Sequence, residues 1–137
     1  MCYQIVLADD YAPIRQCLRK MLANTEDLEI VAEANDGKAL LDLLLAGSVT
    51  PDLIIVDISM PKLGGFEVIP RIKALFPHIK MLVFTEHKDE DHVAKALNLG
   101  VVGYLLKSDA YTELMPAIGK IRQGATYLSS CLAHVTD

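Results

Sequence analysis

Leu53 to Val56 is an unbroken apolar run rich in β-branched residues. Such a run reads as a strand buried on both faces, as in a parallel sheet. It stops on Asp57, and Pro61 then bars further sheet pairing. Tyr3 to Ala8, Leu28 to Ala34, Lys80 to Thr85 and Val101 to Leu106 read as four more strands. Between them, apolar residues recur at helical spacing. Ile14, Cys17, Leu18, Met21 and Leu22 form one stripe. Ala39, Leu40, Leu43 and Leu44 form a second; Val93, Ala96 and Leu97 a third; Leu114, Ala117, Ile118 and Ile121 a fourth. A further helix is predicted from about Phe66 to Leu75.

The punctuation agrees with these elements. Pro13 suits the first turn of a helix that stops near Asn24. Asp36 is placed to cap the next helix. Pro70 is expected near a first turn, where its missing N–H costs less, and Pro77 ends that element. The polar run Glu86 to Asp91 reads as a solvated helix start with acids at its N-terminus. Gly100 and Gly124 are natural stops, and Asp109 or Thr112 can cap the last helix. Pro116 and Gly119 weaken it. The pattern is strand then helix, five times over, so the expected fold is α/β, a doubly wound five-stranded parallel sheet covered on both faces. Residues 1–124 are expected to form one domain. Residues 125–137 read as a tail, or the start of a linker, with no assigned element.

Bulk composition narrows the function classes. The 137 residues are 52% hydrophobic and 23% charged, which is globular. A net charge of -5 argues against gripping a phosphate backbone directly. No apolar run reaches the length of a membrane span, and Met1 leads straight into a strand, so a cytoplasmic, membrane-free location is expected. Cys2, Cys17 and Cys131 are odd in number and widely spaced, so neither a zinc site nor a disulfide framework is expected. His78, His87, His92 and His134 show no ligand spacing and read as surface residues.

The strand ends carry the chemistry. Asp9 and Asp10, Asp57, Thr85 and Lys107 end the first, third, fourth and fifth strands. In a parallel sheet those ends lie on one edge, where open α/β folds bind ligands. Asp57 alone could simply cap the following helix. The four ends together argue for a site. Neighbouring carboxylates repel unless a cation joins them. A small all-oxygen set suits Mg²⁺, and the absence of soft ligands argues against zinc and copper. Metal, ammonium and hydroxyl together make a receptor for a phosphoryl group, within which a carboxylate can be the nucleophile.

At this point the chain resembles the receiver domains of two-component response regulators. The residues that carry the resemblance are Asp9-Asp10, Asp57 with Met60-Pro61 and Gly65, Thr85, and Lys107. The segment Gly100 to Lys107, with Ala117-Ile118, Gly124 and Tyr127-Leu128-Ser129, is similar to the LuxR-type (NarL/FixJ-like) subclass. The resemblance implies a flavodoxin-like (βα)5 fold with strand order 2-1-3-4-5. It implies that Asp57 accepts a phosphoryl group from a sensor histidine kinase. Asp10, Asp57 and the backbone carbonyl of Ser59 would hold Mg²⁺, with Asp9 assisting or standing behind them. Lys107 would pair with Asp57, and Thr85 would bond the new phosphoryl oxygen. Tyr104 matches the switch aromatic, although an ordinary half-buried strand aromatic is the competing reading. The implied partners are the kinase, a second copy on phosphorylation, and DNA only through a C-terminal helix-turn-helix domain that these residues do not include. Such a protein is a switch, not a turnover enzyme.

Three positions depart from or tune that pattern. Glu86 stands where the family usually has a small residue, and its carboxylate either crowds the site or points to solvent. Ser108 stands where many receivers have proline. Ser59 and His87 occupy the two positions that set acyl phosphate lifetime in the family. Two alternatives follow. A haloacid dehalogenase-type phosphatase needs a second acid two residues after its nucleophile, where this chain has Ser59. A pseudo-receiver, an interaction module silenced by Glu86, is the runner-up.

Overall fold

The computed structural model describes residues 2–132. Residues 133–137, and with them His134, lie outside the described residues. Five strands and five helices alternate: β1 (Tyr3–Ala8), α1 (Ala12–Ala23), β2 (Leu28–Ala34), α2 (Gly37–Leu45), β3 (Leu53–Val56), α3 (Gly65–Leu75), β4 (Lys80–Thr85), α4 (Glu90–Asn98), β5 (Gly103–Leu106) and α5 (Ala110–Arg122). A 3-10 turn, Lys107–Asp109, joins β5 to α5. All pairings are parallel, in the order β2-β1-β3-β4-β5. That is the doubly wound, flavodoxin-like order expected.

Alternation along the strands divides the core. Ile5, Leu7, Leu53, Ile55, Leu82, Phe84 and Leu105 face α1 and α5, meeting Leu18, Leu22, Leu114, Ile118 and Ile121. Val6, Ala8, Ile54, Val56, Met81, Val83 and Tyr104 face the other helices, meeting Leu40, Leu44, Val68, Ile72 and Val93. Both faces of every central strand are therefore buried, which is why those strands read as continuous apolar runs. Asp36 caps α2 as expected, its carboxylate accepting from the Ala39 N–H at 2.7 Å. Cys17 is half-buried on its stripe.

The local differences have physical reasons. The segment after Gly124 returns to the sheet: Tyr127–Leu128 forms β6, a sixth parallel strand on Gly103 and Tyr104. The Glu113 carboxylate pins it, accepting from the Tyr127 hydroxyl at 2.6 Å and the Ser130 N–H at 2.9 Å. α4 begins only at Glu90, so residues 86–89 are a loop and not a helix start. β5 begins at Gly103, two residues later than predicted. Pro70 lies inside α3, one turn past its start, where it does remove a bond to the Phe66 carbonyl. Packing holds the helix regardless, with Val68, Ile69 and Ile72 buried on that face. Pro116 is likewise inside α5, and the Asp109 side chain makes no cap. Among the described residues, no helix is long and apolar enough to cross a membrane.

Candidate functional site

Strand register builds the site. Ala8, Val56 and Val83 lie in one row across the sheet. The chain then leaves β1 through Asp9 and Asp10, and β3 through Asp57. Thr85 pairs with Leu106, and Lys107 follows it. All of these groups therefore reach the same edge. Glycine permits the turn after Asp57: a Cβ on Gly65 would stand 2.5 Å from the Ile58 Cα and 2.6 Å from the Asp57 carbonyl oxygen. The loop bends back through Lys62 and Leu63, both at positive φ.

The result is a crevice of about 370 Å³ lined by Asp10, Tyr11, Asp57, Ser59, Thr85, Glu86, His87 and Lys107. Asp9 lies beneath it, 3% exposed. Lys107 Nζ stands 2.8 Å from Asp9 Oδ2 and 2.9 Å from Asp57 Oδ2. The second oxygen of each acid is also held. Asp9 Oδ1 accepts from the Tyr11 N–H at 2.9 Å, and Asp57 Oδ1 from the Ser59 N–H at 3.2 Å. Asp10 is exposed at the mouth.

One ammonium shared by two buried acids explains the electrostatics. Burial pushes the Asp9 carboxyl above the usual carboxylate range, and the nearby Asp57 adds to that push; half a share of Lys107 does not offset them. Burial alone would lower Lys107, but its bonds to Asp9 and Asp57 outweigh that and hold it above its ordinary value. The two shifts are consistent: the cation has two partners and each acid has part of one. Asp9, Asp10 and Asp57 offer oxygens within 4.8 Å of one another. Three carboxylates against one ammonium leave surplus negative charge, and a hard cation with oxygen ligands fits that donor set.

On the far side, Thr85 is 1% exposed, and its Oγ1 accepts from the His87 N–H at 3.4 Å. Glu86 is exposed while lining the crevice mouth. Ser59 Oγ and His87 Nε2 are 2.5 Å apart, bridging the loops after β3 and β4. Tyr104 is fully buried, its hydroxyl donating to the His87 carbonyl at 2.6 Å. Burial, with smaller contributions from Asp89 and Asp57, pushes that phenol far up. The Tyr104 ring is thus turned wholly inward, a burial that an ordinary core aromatic and a switch aromatic share.

Asp9, Asp10, Asp57, Ser59, Thr85, Glu86, His87 and Lys107 all meet at this edge, with Tyr104 behind His87. Two participants escaped the sequence reading. Tyr11 lines the crevice, and Arg15 donates to the Asp9 backbone carbonyl. Position beside the acid pair was the available signal for the first. Only helix geometry reveals the second. One expectation is corrected: His87 and His92 are not unrelated surface residues. Their rings stack at 4.9 Å and 8°, with Asp89 alongside. The spacing escapes a helical template because it spans a loop and the first turn of α4. His78 is exposed, as expected.

Comparison with known proteins agrees with the geometry. The family model described as "Response regulator receiver domain" matches residues 5–119. The transcriptional regulatory protein DegU of Brevibacillus brevis is 34% identical over 131 residues, covering 96% of this chain and 55% of that protein. The oxygen regulatory protein NreC of Staphylococcus epidermidis is 36% identical over 126 residues, covering 91% and 57%. The chain thus spans a little over half the length of these curated relatives. Among solved structures, the isolated receiver of Salmonella RcsB with the phosphomimetic BeF3- superposes with a TM-score of 0.90. That pair is 27% identical and covers 98% of this chain and 99% of the other. A LuxR-family response regulator from Aurantimonas gives a TM-score of 0.88 at 30% identity, covering 98% and 94%. The chain belongs to the response regulator receiver domain family of two-component signalling, with LuxR-type relatives.

Proposed function

We propose that this receiver is a phosphoacceptor switch with Asp57 as its acceptor. The observation that carries the reading is the Lys107 ammonium, 2.9 Å from Asp57 Oδ2 in a crevice walled by Asp10, Thr85 and Ser59. An Asp57 oxygen attacks the phosphorus of a kinase phosphohistidine. The O–P bond forms as the N–P bond breaks, and the imidazole leaves with the electron pair. Lys107 stays in place against the charge that builds on the phosphoryl oxygens. Thr85, one strand over, donates its hydroxyl to one of those oxygens.

Asp10, Asp57 and the Ser59 carbonyl would hold Mg²⁺, with Asp9 behind them on Lys107. When bound, Mg²⁺ supplies charge neutralisation at the phosphoryl oxygens. Engaging Thr85 would draw its backbone, and with it the His87 carbonyl to which Tyr104 is bonded. The switch is a shift of population between two packings of β4, β5 and α4. Ser59 and His87, bonded to each other at the crevice wall, would tune the lifetime of the acyl phosphate. The sole chemistry is the chain's own phosphorylation and dephosphorylation.

Residues 1–124 would act as the receiver, joined at the sheet edge by β6, and the residues beyond β6 would lead toward an output domain. The partners would be a sensor histidine kinase, a second copy on phosphorylation, and DNA through that output domain, with the protein itself acting in the cytoplasm. The alternative, a pseudo-receiver used only for binding, has one observation in its favour, the Glu86 carboxylate at the crevice mouth. Titrating beryllofluoride with Mg²⁺ while recording amide NMR spectra separates the two. Perturbation of Thr85, His87 and Lys107 in the wild type, absent in Asp57→Ala, supports the switch. An unresponsive wild type supports the pseudo-receiver.

A further inference from the structure

A second cluster of ligating side chains lies beside the acid crevice and is chemically different from it. His87, Asp89 and His92 each present a ligating atom, all within 4.8 Å of one another. Asp89 holds the N-cap position of α4, yet its side chain caps nothing. Aspartate at that position ordinarily bonds the helix N–H groups. Here its Oδ2 is turned instead onto His92 Nδ1. Both rings are held in place by independent contacts. His92 stacks on Phe66 at 5.7 Å and on His87 at 4.9 Å. His87 is fixed from behind by Ser59 Oγ on its Nε2. A partner on one part of a ligand side chain that orients the rest is the arrangement that supports metal ligation.

We infer that His87, Asp89 and His92 form a binding site for a borderline divalent transition metal of the Zn²⁺ class. Two imidazoles and one carboxylate suit Zn²⁺, with water completing the shell, whereas Mg²⁺ has little use for nitrogen ligands. The site takes two ligands from the loop after β4 and one from the first turn of α4. A bound ion therefore ties that loop to the helix. It does so on the residue whose carbonyl receives the Tyr104 hydroxyl and whose ring meets Ser59. The inference stands whether or not Asp57 is a phosphoacceptor.

The test is calorimetric titration of the chain with ZnCl₂ in Mg²⁺-containing buffer, with NMR of the histidine rings. The wild type takes up one ion that shifts the His87 and His92 rings and slows amide exchange at residues 87–89. His87→Gln and His92→Gln each weaken binding by at least about ten-fold, the loss that removing even an outer partner causes at metal sites. Asp57→Asn and His78→Gln leave the affinity unchanged. No uptake by the wild type overturns the inference. So does undiminished uptake by the His87→Gln/His92→Gln double variant, which assigns the ion elsewhere. Loss of uptake in Asp57→Asn assigns it to the acid crevice and likewise overturns the inference.

Discussion

The Tyr104 hydroxyl donates to the His87 carbonyl at 2.6 Å, joining β5 to the loop that follows β4. The phenol is fully buried, so nothing else satisfies its O–H from the solvent side. Tyr104→Phe keeps the packing and removes this one bond. A hydrogen bond of this kind contributes about 1 kcal/mol. Urea denaturation should show a loss of that size, and amides 86–89 should exchange faster. Unchanged exchange in the loop would mean that the bond does not hold it.

Among the described residues, Lys107 is the one cation paired with the carboxylates of Asp9 and Asp57, whose side chains are 4% and 6% exposed. Replacing it with Met preserves the aliphatic stem and leaves two buried carboxylates facing each other. Breaking such a pair by removing one partner costs about 3 kcal/mol or more. The loss should appear in Mg²⁺-free urea melts and shrink when Mg²⁺ is added. A Lys107→Met melt indifferent to Mg²⁺ would argue against cation binding by the acids.

Gly65 is confined by backbone on two sides, the Ile58 Cα and the Asp57 carbonyl. A methyl group there cannot be accommodated by rotating a side chain. Gly65→Ala should destabilise the fold by about 1–3 kcal/mol, the usual range for overpacking. It should also displace Asp57 and slow its labelling by acetyl phosphate. Wild-type stability in thermal melts would show that the turn can open at little cost.

Attachment of β6 should depend on pH through Glu113. Partial burial alone would raise this carboxyl, but bonds from Tyr127 and Ser130 outweigh it and hold it below its ordinary value of 4.5. A depressed acid contributes stability above its unfolded value and loses it as pH falls through its folded value. Amide protection factors at Ser129 and Ser130, exchange rates corrected for their intrinsic pH dependence, should therefore be high at neutral pH and drop as pH falls below about 4.5. Glu113→Gln should remove most of this dependence. At the other extreme, burial and the Glu113 contact push the Tyr127 phenol up to about 12, so only strong alkali should disturb it.

Much of the site was legible because burial forces a sharp contrast in sequence. Asp57, Thr85 and Lys107 each end an apolar strand, and parallel pairing brings such ends together whatever the connecting loops do. What escaped depends on tertiary contacts with little local signature. β6 is two residues long and exists because Glu113 and the β5 backbone capture it. Pro70 and Pro116 look like breakers, yet packing of Ile72 and Ile118 keeps both helices continuous. The delayed start of α4 at Glu90 leaves His87 in a loop, and that alone lets its ring reach both Ser59 and His92. Sequence spacing could point to Tyr104, but not to the carbonyl its hydroxyl would find.

The central claim concerns Asp57, and intact-mass spectrometry after incubation with acetyl phosphate tests it most directly. With Mg²⁺ present, the wild type should gain the mass of one phosphoryl group, and Asp57→Ala or chelation of the metal should abolish the gain. Equal labelling of Asp57→Ala, or none in the wild type at saturating donor and Mg²⁺, would contradict the account.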